Sequence, residues 1–287
     1  MKFAVLGGDR RAAHLAALLA DDGNRVNTFA LERSALPRSV PRVGCLQGCL
    51  YGADWVVLPV PAQREGVLNA PLSGEELSME TLAEALWPGQ VVCGGRLPEE
   101  FCRLARAQQV HTEELLRRPT FAVGNAAVTA EGALYTLMGA GEGTLWGSRV
   151  LLCGWGRIGK LLSARLRGLG AQVAVAARSA QDRSLVRSLG MEAYDYPALC
   201  GCIGGFRYVV NTVPERILGE QELCCAEEGT ILLELASVPG FDAAFAENIG
   251  LHPLSAPGLP GKYAPYAAAL VQREAIYEAI REREEEP

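Results

Sequence analysis

Apolar residues in this chain fall into short blocks, divided by glycine turns and by stretches of mixed polarity. Lys2–Leu6 is a nearly unbroken apolar run that ends at Gly7-Gly8-Asp9. From Arg10 onward Leu15, Leu18 and Leu19 recur at helical spacing, and Gly23 supplies a stop. Arg25–Phe29, residues 54–60 and residues 90–93 read as further strands, and 98–107 suits a helix. The pattern then restarts. Arg149–Cys153 is apolar, Gly154-Trp155-Gly156-Arg157-Ile158-Gly159 follows, and Leu162, Leu166 and Leu169 mark a helix. Gln172–Ala176, 208–213 and 230–236 are three more apolar strands. Residues 129–138 read as a helix between the halves, 139–147 as a glycine-rich joint, and 265–280 as a tail helix whose charged end, 281–286, is solvated. Strands that alternate with helices predict parallel sheets covered by helices. The expectation is α/β, with two Rossmann-like or flavodoxin-like domains. An N-terminal substrate-side domain covers 1–123 and includes the returning tail helix, 265–287. A dinucleotide-binding domain covers 124–264.

Length and composition narrow this little. The 287 residues suffice for two domains, and 49% hydrophobic residues give each a core. A net charge of −6 argues against a nucleic-acid or anionic-membrane partner. No apolar run is long enough to span a bilayer, and the amino terminus reads directly into a strand; a cytoplasmic protein is expected. Nine cysteines without a CxxC pair, and three histidines, make no zinc pattern, so no metal is expected. The cysteines read as reduced structural thiols, with Cys200-Gly201-Cys202 and Cys224-Cys225 the open question. His14, His111 and His252 stand in no catalytic constellation.

The second glycine turn carries the chemistry. In G-x-G-x-x-G after a strand, Gly154 permits the tight turn, Gly156 lets backbone approach a pyrophosphate, and Gly159 lets helix and strand pack closely. Amides at the helix start, through Arg157 and Ile158, then meet the phosphates. Arg178 and Ser179 follow Gly159 by 19 and 20 residues, where an NAD site carries an acid. A guanidinium with a neighbouring hydroxyl suits a 2′-phosphate instead, so NADP is expected, with Arg183 assisting. Asn211, Thr212, Pro214 and Ser237 lie at strand carboxyl ends, where the nicotinamide and its ribose are expected. Glu234 interrupts an apolar strand, so it needs a partner or a cavity. Gly7-Gly8-Asp9-Arg10-Arg11 lacks the third fingerprint glycine. It reads either as a capped helix start or as a carboxylate site in which Arg10 takes part. Asn125, Thr129 and Glu131 are placed at a cleft between domains or, equally, at an ordinary helix start. The Pro-Gly loop with Gly258, Lys262 and Tyr263 lines a substrate pocket or merely links domains.

Several of these stretches together resemble the A subunit of dipicolinate synthase. They are Gly7-Gly8-Asp9-Arg10, Asn125 with Thr129-Ala130-Glu131-Gly132, the GxGRxG turn, Ala177-Arg178-Ser179, Asn211-Thr212-x-Pro214, Leu235-Ala236-Ser237-x-Pro239-Gly240 and Ala256-Pro257-Gly258-Leu259-Pro260-Gly261. The last two are the most specific. The chain departs from the family at Glu234, where a shorter acid is expected, and at Trp155. The resemblance implies formation of pyridine-2,6-dicarboxylate from a (hydroxy)tetrahydrodipicolinate of the lysine pathway. It also implies NADP dependence, a flavoprotein-like B subunit, and the mother cell of a sporulating bacterium. On this reading Arg10, Asn125, Thr129 and Gly258 meet the dicarboxylate, and Glu131, Glu234 and Lys262 are the candidate acid–base residues. A homo-oligomer is compatible. Two other classes stay open: a two-domain 2-hydroxy-acid dehydrogenase or adenosylhomocysteine-hydrolase-like enzyme, and a non-catalytic NADPH-binding subunit.

Overall fold

The computed structural model describes residues 1–285; Glu286 and Pro287, at the end of the expected solvated tail, lie outside them. Two compact units emerge. One comprises Met1–Asn125 together with the chain from Pro260 onward, and the other is Ala126–Leu259.

The first unit begins with β1 (Lys2–Leu6), α1 (Arg10–Asp21) and β2 (Arg25–Phe29). It continues through β3 (Trp55–Val57), β4 (Val91–Gly94), α2 (Glu99–Ala107) and β5 (His111–Glu114). The five strands form one all-parallel sheet in the order β2-β1-β3-β4-β5. That order is the flavodoxin-like form of a doubly wound sheet. The central strands are apolar because helices cover both faces: Phe3 through Leu6 and Val56 through Leu58 are almost wholly buried.

The connecting helix, α3, runs Pro119–Gly139, ten residues earlier than the reading from 129. Gly124 and Asn125 look like breakers in the sequence. In the structure a Cβ on Gly124 would lie 2.6 Å from Val271, so the glycine is a packing requirement inside the helix.

The second unit contains β6 (Arg149–Cys153), α4 (Arg157–Gly168), β7 (Gln172–Ala176), α5 (Ala180–Ser188) and β8 (Glu192–Tyr194). A helical stretch from Tyr196 to Gly205 leads to β9 (Tyr208–Asn211), α6 (Glu220–Cys224), β10 (Ile231–Glu234) and β11 (His252–Ser255). Its six parallel strands are ordered β8-β7-β6-β9-β10-β11, the dinucleotide-binding arrangement with its reversal between β6 and β9. Ligands of such sheets lie beyond the carboxyl ends of the strands, at that reversal.

The chain closes with α7 (Pro265–Glu285), which belongs to the first unit and packs along α1. Tyr277 donates to Asp22 (2.8 Å) and accepts from Asn24 (2.8 Å). The far end is held rather than simply solvated. Arg118, 12% exposed, pairs with Glu113 at 2.7 Å, Glu278 at 3.7 Å and Glu282 at 2.8 Å.

Three strands of the two large sheets had no counterpart in the hydrophobic pattern: β5, β8 and β11. Each is an edge of its sheet. No helix among the described residues is long and apolar enough to cross a membrane, and none of their side chains cluster as a metal site. The question left open at the two cysteine clusters is answered by one pair: Cys200 and Cys225 are joined as a disulfide, while the other seven cysteines are free.

Candidate dinucleotide site

The turn after β6 assigns a different task to each glycine. Gly154 has φ +107°, a conformation side chains rarely adopt, and its N–H donates to Ala176 O at 2.8 Å. A Cβ there would stand 2.4 Å from Thr212 Oγ1, which itself donates to Cys153 O at 2.9 Å. A Cβ on Gly159 would stand 2.2 Å from the Gly154 carbonyl oxygen, so the first turn of α4 presses directly on the strand end. Gly156 differs: it is exposed, and nothing lies within 4 Å of the position a Cβ would take. It caps α4 without a side-chain hydrogen bond, and no acid occupies the first helical turn. The helix thus presents open, uncompensated amides beside bare backbone, the surroundings a pyrophosphate requires. Arg157 is exposed and Ile158 half-buried beside it. Trp155 leaves the turn unobstructed, because its indole is buried in the core of the second unit.

At the end of β7, Arg178 is exposed, and Ser179 caps α5 by accepting from Asp182 N at 3.3 Å. Arg183 does not extend toward a ligand as expected. It donates to the carbonyls of Ala177 (2.8 Å) and Arg178 (2.6 Å), clamping the turn from behind. Its contribution is to fix the backbone that carries Arg178. Tyr196 also lies here, with no motif in the sequence to announce it. Burial raises its phenol pKa, the Cys153 thiol adds to the rise, Arg178 opposes it, and Glu215 and Asp182 act in the same direction as burial. Tyr196 packs against the core cluster that contains Cys153 and Ala176, at the ends of β6 and β7. Its position follows β8, a strand without an apolar signature.

On the other side of the reversal, Asn211 and Glu234 are register partners at the ends of β9 and β10. Asn211 Nδ2 donates to both Glu234 oxygens (2.8 and 3.0 Å) and to Val213 O (2.9 Å). Ala236 N and Gly240 N also donate to the Glu234 carboxylate, at 2.8 and 2.7 Å. Glu234 is 6% exposed and Asn211 fully buried. The catalytic expectation for Glu234 is thereby corrected: four donor contacts occupy its oxygens, and it shapes the two loops instead. Asn211 likewise points inward as part of that support. Thr212 is half-buried against Gly154, while Pro214 and Ser237 are exposed at the strand ends.

The first unit's glycine turn is closed by its own charges. Asp9 caps α1, accepting from Arg11 N at 2.9 Å, and pairs with the Arg11 guanidinium at 2.9 Å. Arg11 also donates to Val60 O at 2.7 Å. Burial works to raise the Asp9 pKa, but the hydrogen bonds and charge of Arg11, aided by Arg64, outweigh it and hold the carboxyl below its ordinary value. A Cβ on Gly261 would lie 2.2 Å from Asp9 Oδ2, so that glycine covers the pair. The inward arginine here is Arg11; Arg10, the expected carboxylate ligand, is exposed on α1. Glu131 is exposed and paired with Arg165 at 3.2 Å. Thr129 is buried and Asn125 half-buried, both on α3. Gly258 is exposed with φ +69°, and Lys262 is exposed on the short helix Leu259–Tyr263.

Comparison with known proteins agrees with this picture. Residues 2–116 match the family model described as the N-terminal domain of the dipicolinate synthase A subunit. The chain is 27% identical over 291 residues to the A subunit of dipicolinate synthase from Bacillus subtilis (strain 168), covering 98% of this chain and 96% of that one. The crystal structure of the same Bacillus subtilis protein superimposes with a TM-score of 0.86 at 26% identity, covering 100% and 98% of the two chains. An L-alanine dehydrogenase superimposes with a TM-score of 0.66 at 11% identity, over 98% and 89%, which shows a shared fold alone. Along its whole length the chain is similar to the dipicolinate synthase A subunit, and it shares its fold with dehydrogenases.

Proposed function

We propose that this relative of the dipicolinate synthase A subunit binds NADP in its second unit and oxidises a (hydroxy)tetrahydrodipicolinate to pyridine-2,6-dicarboxylate. The observation that carries the reading is the Gly156 cradle, open where a Cβ would intrude, with Arg178 exposed at the end of the neighbouring strand. The cradle residues fit a dinucleotide. Gly156, Arg157 and Ile158 would hold the pyrophosphate, and Arg178 with Ser179 the 2′-phosphate. Thr212, Pro214 and Ser237 border the nicotinamide side. Bound there, the nicotinamide supplies a hydride acceptor. The hydrated precursor must also lose water and a proton before the ring becomes aromatic.

The chain's share is to bind, orient and move that proton. Glu234 is saturated by its donors and Glu131 is paired with Arg165, so Lys262 is the acid–base candidate this reading retains. An ammonium there suits a substrate carboxylate or a departing hydroxyl, having three donors and no acceptor. Arg10, Asn125, Thr129 and Gly258 are assigned to the dicarboxylate. A flavoprotein-like B subunit is the assigned partner, and the mother cell of a sporulating bacterium the assigned setting.

The test supplies freshly made precursor and NADP to the full chain, with and without the B subunit, and follows reduced nicotinamide and the aromatic product together. Stoichiometric appearance of both supports the proposal. Tight NADPH binding with no turnover in either mixture would make the chain a cofactor-binding subunit that leaves the chemistry to another protein.

A further inference from the structure

We infer that Cys200 and Cys225 form a redox-responsive clamp on the adenosine side of the proposed dinucleotide site. The inference rests on the cofactor reading above but begins from a separate observation. Two helical segments on one face of the second sheet bring these cysteines together. Cys200 lies in the stretch Leu199–Cys202, and Cys225 immediately follows α6. Their Cα atoms are 5.5 Å apart and their sulfurs are bonded. That spacing lies within the range of about 4.4–6.8 Å that a disulfide bridges without backbone movement.

The clamp holds a segment that matters. Tyr196 begins the segment that carries Cys200. It packs against the core cluster that contains Cys153 and Ala176, the last residues of β6 and β7, next to the Arg178 turn. Backbone ties the same segment to that turn, since Ala177 N donates to Tyr194 O at 3.0 Å. On the other side, α6 follows the loop of Thr212, Val213 and Pro214 after β9. The bond between Cys200 and Cys225, at the far end of α6 from that loop, therefore ties the segment that begins at Tyr196 to the chain leading into β10. Without it, residues 195–205 are held by a few buried side chains, chiefly Leu199, Ile203 and Phe206.

The chemistry is thiol–disulfide exchange. Two thiols give two electrons and two protons to a low-molecular-weight disulfide such as oxidised glutathione. One sulfur–sulfur bond forms between Cys200 and Cys225 as the reagent's bond breaks, and the reagent leaves as two thiols. Cys200 is exposed, so the reagent has access. Cys202 and Cys224 lie close by in the chain and are free, which offers nearby thiols for exchange. In a reducing cytosol the pair is open, and an oxidising shift closes it. The closed form pre-organises the Tyr196 wall for the cofactor. If the open wall is correctly placed in about a tenth to a third of molecules, NADPH affinity falls about three- to tenfold on reduction.

Three readings on the full chain test this across a series of glutathione buffers. Peptide mapping after alkylation identifies the pair, hydrogen exchange without cofactor follows residues 195–205, and titration with NADPH gives the affinity. The expected result is a peptide joining Cys200 to Cys225 in oxidising buffer, faster exchange in that segment on reduction, and a weaker NADPH affinity in step with it. Cys200→Ser and Cys225→Ser should each match the reduced protein and no longer respond to the buffer. Free thiols at both positions in the oxidising buffer would overturn the inference, as would a pair whose reduction leaves exchange and affinity unchanged. If neither form binds NADPH, the cofactor assignment falls. The clamp is then decided by the mapping and the exchange alone.

Discussion

Gly156 and Gly159 stand three residues apart in one motif, and the structure predicts opposite consequences for replacing them with alanine. At Gly156 the new Cβ meets nothing within 4 Å, and the backbone at φ −77° and ψ −167° accepts an L side chain. Alanine is a poorer helix cap than glycine, but it restricts the unfolded chain. The two effects are each about 0.5–1 kcal/mol and of opposite sign. Folding stability should therefore stay within about 1 kcal/mol of the parent. The methyl group fills the space a pyrophosphate needs, so one or two charge-assisted hydrogen bonds worth about 1.5–3 kcal/mol each are lost. Affinity for NADPH should drop about tenfold for the first 1.4 kcal/mol and by a hundredfold or more if both bonds go. At Gly159 the Cβ would lie 2.2 Å from a backbone oxygen, and neither atom can rotate away. Moving α4 off the strand costs about 1–3 kcal/mol of overpacking. For a chain of this size that lowers Tm by roughly 2–4 °C per kcal/mol. Calorimetry and fluorescence titration of both variants separate the outcomes. Gly156→Ala should keep its Tm and lose the cofactor, and Gly159→Ala should lose Tm first. A Gly156→Ala protein that binds NADPH as the parent does would refute the placement of the phosphates.

Glu234→Ala strands the donors of Asn211, Ala236 and Gly240 in a buried place, at about 1–3 kcal/mol each. Denaturant unfolding should show a loss of at least about 3 kcal/mol, and Glu234→Gln a smaller loss with the pH–rate profile unmoved. Disappearance of one limb of that profile in a stable Glu234→Gln protein would return the residue to catalysis. Asp9 has a lowered pKa in the folded chain, so its stabilising contribution is present above its ordinary value of 3.8 and is lost as pH falls through the lower folded value. The stability difference between the parent and Asp9→Asn should be constant near neutrality and shrink toward zero below about pH 4. A difference that grew on acidification would mean that Arg11 does not hold the carboxylate.

Much of the architecture is written in the hydrophobic pattern, and the strands it omits from the two large sheets have one cause. Central strands of a parallel sheet are buried on both faces, so Val5, Val56, Leu151, Val209 and Leu232 stand in readable apolar runs. Edge strands need no such run: β5 reads His-Thr-Glu-Glu, and β11 opens on His252-Pro253. The start of α3 was hidden because Gly124 obeys Val271, a residue far along the chain that no local rule can see. The same division holds at the site. Gly154 and Gly159 meet demands of the fold that glycine alone satisfies, and Gly156 leaves the space a ligand needs, so spacing exposes all three. Arg178 against Arg183, Arg10 against Arg11, and the task of Glu234 depend on where side chains turn. For Arg183 that is decided by two carbonyl oxygens, and for Glu234 by two loop amides. Tyr196 and Cys200 follow β8, and Cys225 follows α6, so their nearness came into view only with the fold.

The assignment of NADP to the second unit is tested most directly by equilibrium titration of the full chain with NADPH and with NADH, repeated on Arg178→Ala. The parent should prefer NADPH, and the variant should lose about 1.5–3 kcal/mol, or 10–100-fold, for NADPH while its affinity for NADH barely changes. Equal weakening of both cofactors, or a parent chain that prefers NADH, would contradict it.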